Sequence, residues 1–246
     1  MVSLQPFNAT IAPMLQFISP RRRLSWVFAV LFAAVFASAG CGGDAVSPQQ
    51  EPSPPPAAPT AAPAFRVVVL GDSLAAGLGL AAGDAFPAVV DAALRERGLD
   101  VEVVNAGVSG DTSAGGLARI DWVLRQPADV LVVALGGNDA LRGQPLASTA
   151  ENLREIVRRG HETGATVVLL GMDVPTNYGP DYATTFAELY PVIADEEGAV
   201  LIPGFVRILG AEPELLQPDG LHPTAEGQRR LADQLVPVLI EVIEAR

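Results

Sequence analysis

Five short runs of branched apolar residues constrain this chain more than any other feature of it. They are residues 65–70 (FRVVVL), 101–105 (VEVVN), 129–135 (DVLVVAL), 166–171 (TVVLLG) and 199–203 (AVLIP). Continuous apolar runs of this length suit strands covered on both faces, as parallel strands are. Helical patterns fill the gaps between them. Residues 86–98 (FPAVVDAALRERG) carry Pro near the start and Gly at the end, as helix ends prefer. Residues 149–164 and 182–198 read alike, and 224–246 form a last helix with Leu231, Leu235, Val236, Leu239, Ile240, Val242 and Ile243 as its apolar face. Strands alternating with helices predict an α/β fold, a three-layer α/β/α sandwich on a five-stranded parallel sheet. No internal repeat is visible.

In such sheets function gathers at the carboxyl ends of the strands. Ser73 in VLGDSLAAG lies just past the first run, NAGVSGDT (105–112) past the second and GGND (136–139) past the third. PDGLHP (218–223) precedes the last helix. Taken alone, Ser73 is equally a helix N-cap or a nucleophile. A serine nucleophile needs a base near neutral pKa, and the chain has two histidines. His161 sits in RRGHETGA, a charged helix end that reads as solvated surface. His222 sits in a tight turn beside Gly220 and Pro223, three residues after Asp219. That spacing lets the carboxylate hold one ring nitrogen while the other faces a serine. Negative charge on an attacked carbonyl oxygen needs fixed donors. The Ser73 N–H, the Gly110 N–H and the Asn138 side-chain amide are the candidates; read singly, Gly110 and Asn138 are also ordinary turn residues. Ser109, in GVSGD, misses the last glycine of a G-x-S-x-G nucleophile elbow and is set aside.

The residues before the first strand divide in two. Residues 1–43 read as an export signal: Arg21, Arg22 and Arg23, an apolar run (LSWVFAVLFAAVFASAG), then Cys41. Met14 is an alternative start, and the arginine run leaves the twin-arginine route open. Ser38-Ala39-Gly40-Cys41 resembles a bacterial lipobox with Ser38 in place of the usual leucine, which makes Cys41 a candidate lipidation site. Cleavage after Ala37-Ser38-Ala39 is the competing reading and leaves a soluble periplasmic or secreted protein. Residues 44–64 hold seven prolines and read as a disordered Pro/Ala-rich tether, leaving 65–246 as the folded domain. With 28 acidic against 16 basic residues, all of them arginine, the chain does not suit nucleic acid. One cysteine excludes an internal disulfide framework and a Cys-based zinc site, and two histidines do not suit a multi-histidine metal site.

GDSL around Ser73, SGDT around Gly110, GGND around Asn138 and DGLHP with Asp219 and His222 together resemble the four blocks of the GDSL, or SGNH, hydrolase family, in the same order. GDTSAGGLARI (110–120), LGGNDALRG (135–143) and VPTNYGPDY (174–182) resemble its thioesterase, arylesterase and lysophospholipase branch. The resemblance implies a flavodoxin-like fold with no metal and no cofactor. It implies a serine esterase that hydrolyses acyl esters and thioesters, lysophospholipids among them, through an acyl-enzyme; a monomer is the expectation for the chain. On this chain it makes Ser73 the nucleophile, His222 the base, Asp219 its orienting acid, and Ser73, Gly110 and Asn138 the oxyanion hole. Leu78 and Leu80, with Asn177 and Tyr178 of the 172–182 loop, are candidates for an acyl pocket, or plain packing. A carbohydrate O-acetyl esterase and a non-enzymatic ligand-binding surface lipoprotein on the same scaffold are the alternatives. The membrane enters only through an anchor at Cys41.

Overall fold

The structure is a computed structural model that describes residues 65–174 and 176–246. The export signal, Cys41 and the tether lie outside the described residues. Five strands, β1 (Phe65–Gly71), β2 (Val101–Gly107), β3 (Val130–Ala134), β4 (Thr166–Leu170) and β5 (Val200–Ile202), form one sheet in the order β2-β1-β3-β4-β5. All four pairings are parallel. This is the flavodoxin-like order, with its switch point between β1 and β3.

The burial of each strand follows its place in the sheet. Val67–Leu70 of β1 and every residue of β3 are buried, as central strands covered on both faces must be. The edge strands β2 and β5 keep partly exposed positions. Register levels the strand ends. Gly71 pairs with Gly107 on one side and Ala134 on the other, so the loops after β1, β2 and β3 leave the sheet side by side.

The longer helices are α2 (Phe86–Glu96), α3 (Ser113–Val123), α5 (Leu146–Glu162), α6 (Pro180–Glu197) and α8 (Ala225–Glu244). α2 packs on α8; α5 packs on α3 and α6. Three short helices, α1 (Ser73–Ala76), α4 (Gly137–Leu141) and α7 (Arg207–Ala211), lie at the strand ends. α3 has no counterpart among the predicted helices. Its sequence, SAGGLARIDWV, lacks a strong apolar period, and two adjacent glycines argue against a helix on propensity. Tertiary packing overrides that preference, because Gly116 lets the helix approach Leu135 closely enough that a Cβ there would overlap its side chain. α5 and α6 begin earlier than their periodicity suggests, at Leu146 and Pro180, each close to a proline that suits a first turn.

Candidate active site

The loop after β1 makes a one-turn helix, and Asp72, not Ser73, caps it. The Leu74 N–H donates to Asp72 Oδ1 at 3.0 Å. Ser73 is the first helical residue, so its side chain has no capping work. α1 can sit against the end of β2 only because Gly107 has no side chain: a Cβ there would stand 2.5 Å from the Ala76 nitrogen. Ser73 Oγ lies 2.9 Å from His222 Nε2. On the far side of the ring, His222 Nδ1 lies 2.7 Å from Asp219 Oδ2.

The Asp219 turn holds itself in place. Asp219 Oδ1 accepts from the backbone N–H groups of both Leu221 and His222, at 2.9 Å each. Gly220, between Asp219 and Leu221, takes a left-handed φ of 69°. The His222 backbone N–H, the imidazole and the Leu221 N–H together hold the Asp219 carboxyl down to about 2, below the usual carboxylate range. An ionised carboxylate only accepts, so Nδ1 carries the ring proton and Nε2 is left to accept from the Ser73 hydroxyl. Gln217 ties the turn to the rest of the cleft. Its N–H donates to His222 O at 2.7 Å, and its amide donates to Leu78 O and Pro223 O at 2.8 Å each.

Asn138 comes from α4, just past β3. Its Nδ2 donates to Asp72 Oδ2 at 3.1 Å, which leaves the second amide hydrogen available. Asp72 therefore joins the first and third clusters through its two oxygens. It is 3% exposed, and burial pushes its carboxyl up to about 6 against the lowering pull of Leu74, Asn138 and His222. Gly110 has φ 85°, and its carbonyl accepts from Arg142 Nη2 at 2.8 Å. Arg119 braces the same loop. It donates to Asp111 Oδ2, to Ala106 O at the end of β2 and to Gly71 O at the end of β1. Among the described residues, neither the Ser73 nor the Gly110 N–H donates to a backbone carbonyl.

Ser73, Gly110, Asn138 and His222 line one cleft of about 740 Å³. Leu78 lines it as well; Leu80, Asn177 and Tyr178 do not. Leu80 is half-buried in the loop after α1, and Asn177 and Tyr178 are exposed on a single turn of 3₁₀ helix. The apolar wall comes instead from Leu141, Met172, Val206, Leu209 and Leu216. Ser109 is exposed and outside the cleft, and His161 lies at the end of α5 with Nδ1 on Ala165 O. Sequence reasoning missed Asp72, Arg119, Arg142 and Gln217. Only Asp72 had a local signal, since an Asp two residues before the N–H it caps is a common helix start. Among the described residues no group of three or more His, Cys, Asp or Glu side chains could hold a metal ion.

A serine hydroxyl, an imidazole and a carboxylate in one hydrogen-bonded line, at the switch point of a parallel sheet, define a hydrolase of the serine type. The chain belongs to the GDSL-like lipase/acylhydrolase family, whose model matches residues 69–230. Esterase TesA of Pseudomonas aeruginosa is 41% identical over 174 residues, which span 70% of this chain and 87% of the relative. Thioesterase 1/protease 1/lysophospholipase L1 of Escherichia coli K12 is 39% identical over 175 residues, 70% of this chain and 82% of that one. The crystal structure of TesA covers 72% of this chain and 99% of its own, with a TM-score of 0.70 at 39% identity.

Proposed function

We propose that this protein hydrolyses small acyl esters and thioesters through an acyl-enzyme on Ser73. The observation that carries the reading is the line Asp219–His222–Ser73, with contacts of 2.7 and 2.9 Å. His222 Nε2 takes the Ser73 proton as Oγ forms a bond to the acyl carbon. The carbonyl oxygen becomes an oxyanion, to which the Ser73 N–H, the Gly110 N–H and the second Asn138 amide hydrogen donate. The tetrahedral species collapses, His222 returns its proton to the departing alkoxide or thiolate, and Ser73 is left acylated. Water then attacks, giving its proton to His222, and the carboxylic acid leaves as Ser73 recovers its proton. Asp219 stays ionised throughout and holds the imidazolium when it forms.

The apolar cleft wall supports an acyl chain longer than acetyl, which favours this reading over a carbohydrate O-acetyl esterase. Relatives named as esterase and as thioesterase and lysophospholipase support the same substrate class. The signal-like pattern of residues 1–43 and the lipobox-like setting of Cys41 support the reading of an exported enzyme held by a lipid anchor at Cys41. Among the described residues no helix is long and apolar enough to cross a membrane. The mass of the mature N-terminus tests the anchor.

The catalytic test is Ser73→Ala. Turnover of a chromogenic butyrate ester should fall by about 10⁴-fold or more with the circular dichroism spectrum unchanged. A serine-directed fluorophosphonate should label the wild type and not the variant. A variant that keeps wild-type turnover removes Ser73 as nucleophile.

A further inference from the structure

A second cavity, of about 460 Å³, adjoins the catalytic cleft, and the two share four lining residues: Met172, Asp173, Val174 and Arg207. Two of the four are charged and paired. Arg207 Nη2 stands 2.9 Å from Asp173 Oδ1, so an ion pair from the loop after β4 to α7 crosses the groove where one cavity meets the other. The crossing is built into the backbone. Gly204 takes a left-handed φ of 59°, and a Cβ there would lie 2.7 Å from Arg207 Cζ. The guanidinium thus occupies room that a side chain at 204 would fill. Asp173 Oδ2 is buried with no hydrogen-bond partner among the described residues, so Arg207 is the partner that holds this carboxylate in place.

We infer that the Asp173–Arg207 pair ends the acyl site and sets its length preference. The inference rests on the acyl-ester reading of the cleft. Short acyl chains fit between Ser73 and the pair. A longer chain must pass it to reach the second cavity, whose lining includes Ala183, Ala187, Pro191 and Pro203. The barrier is a modest one. The Arg207 side chain is 71% exposed, and an exposed ion pair contributes little to stability. The pair works by occupying the passage with two charged groups that an alkyl chain cannot share.

The test compares kcat/KM for p-nitrophenyl butyrate and dodecanoate in the purified wild type, in Arg207→Ala and in the double variant Asp173→Ala/Arg207→Ala. The double variant leaves no carboxylate without its partner, and the exposure of Arg207 keeps truncation from threatening the fold. The dodecanoate-to-butyrate ratio should rise by about tenfold or more in both, because each methylene admitted to an apolar site favours the longer ester. A ratio unchanged in the double variant, with butyrate still hydrolysed, overturns the inference and leaves the proposed function standing. A falling ratio overturns it too, since Arg207 would then be gripping substrate and not blocking it. Absence of Ser73-dependent turnover in the wild type defeats the proposed function itself.

Discussion

Asp72 shows how one buried carboxylate can serve the site at a cost to the fold. It caps α1 through Oδ1 and steadies the Asn138 amide through Oδ2, and only the ionised form offers both oxygens as acceptors. Burial opposes that form. Its folded value of about 6 lies above the ordinary 3.8, so between those values the folded state binds the proton more tightly than the unfolded chain. Stability from this group therefore falls as pH rises through that window, by roughly 3 kcal/mol once it is passed. Asp72→Asn cannot ionise. Its stability relative to wild type, measured by urea unfolding, should improve by about that amount from below pH 4 to above pH 6. Its kcat should nonetheless drop roughly tenfold to a hundredfold, because an asparagine NH₂ would face the Asn138 NH₂ and disturb an oxyanion donor. A stability difference that does not vary with pH would show that Asp72 titrates normally.

At the scale of elements, the site depends on how closely α1 approaches the sheet. Gly71 and Gly107 make that approach feasible: a Cβ at 71 would sit 2.6 Å from Ala75 Cβ, and one at 107 would meet the Ala76 nitrogen. The backbone atoms of α1 cannot yield without moving the whole turn, and Ser73 moves with it. Gly107→Ala should therefore lower stability by roughly 1–3 kcal/mol, seen in thermal melts, and reduce ester turnover more than the folded fraction accounts for. Turnover that follows the folded fraction alone would place the strain elsewhere. The same reasoning explains the part of this region that sequence reading left open. GDSL carries a serine at a strand end, which fits a cap or a nucleophile equally. The cap turned out to be the preceding residue, and propensity alone cannot assign a cap to one of two adjacent polar residues. α3 was illegible for a related reason: its Gly116 serves close packing on Leu135, a residue just past β3 and distant in the chain.

Across the whole molecule, Ser73 and His222 lie 149 residues apart yet meet at 2.9 Å. The sheet core fixes one of them firmly and the other less so. Ser73 hangs from β1, at the centre of the sheet, whereas residues 218–221 are exposed and held mainly by the Leu216–Pro223 bridge and by Gln217. Segments with few buried contacts open before the core does. Ester hydrolysis should accordingly be lost at a lower urea concentration than far-UV circular dichroism; coincident curves would mean that the His222 turn unfolds only with the sheet. The sequence by itself marked the strands, because two-sided burial forces Val67–Leu70 of β1 and all of β3 to be continuously apolar and so makes them visible locally. It also determined the chemical inventory: one serine at the first strand end, one histidine in an Asp-x-x-His turn, and a glycine and an asparagine past the next two strands. Only the tertiary structure decided which cleft wall receives the acyl chain, what steadies Asn138, and that Leu80, Asn177 and Tyr178 stand outside the cleft while Leu209 and Leu216 line it. Those are contacts between residues distant in the chain, and no local pattern records a distance that only packing sets.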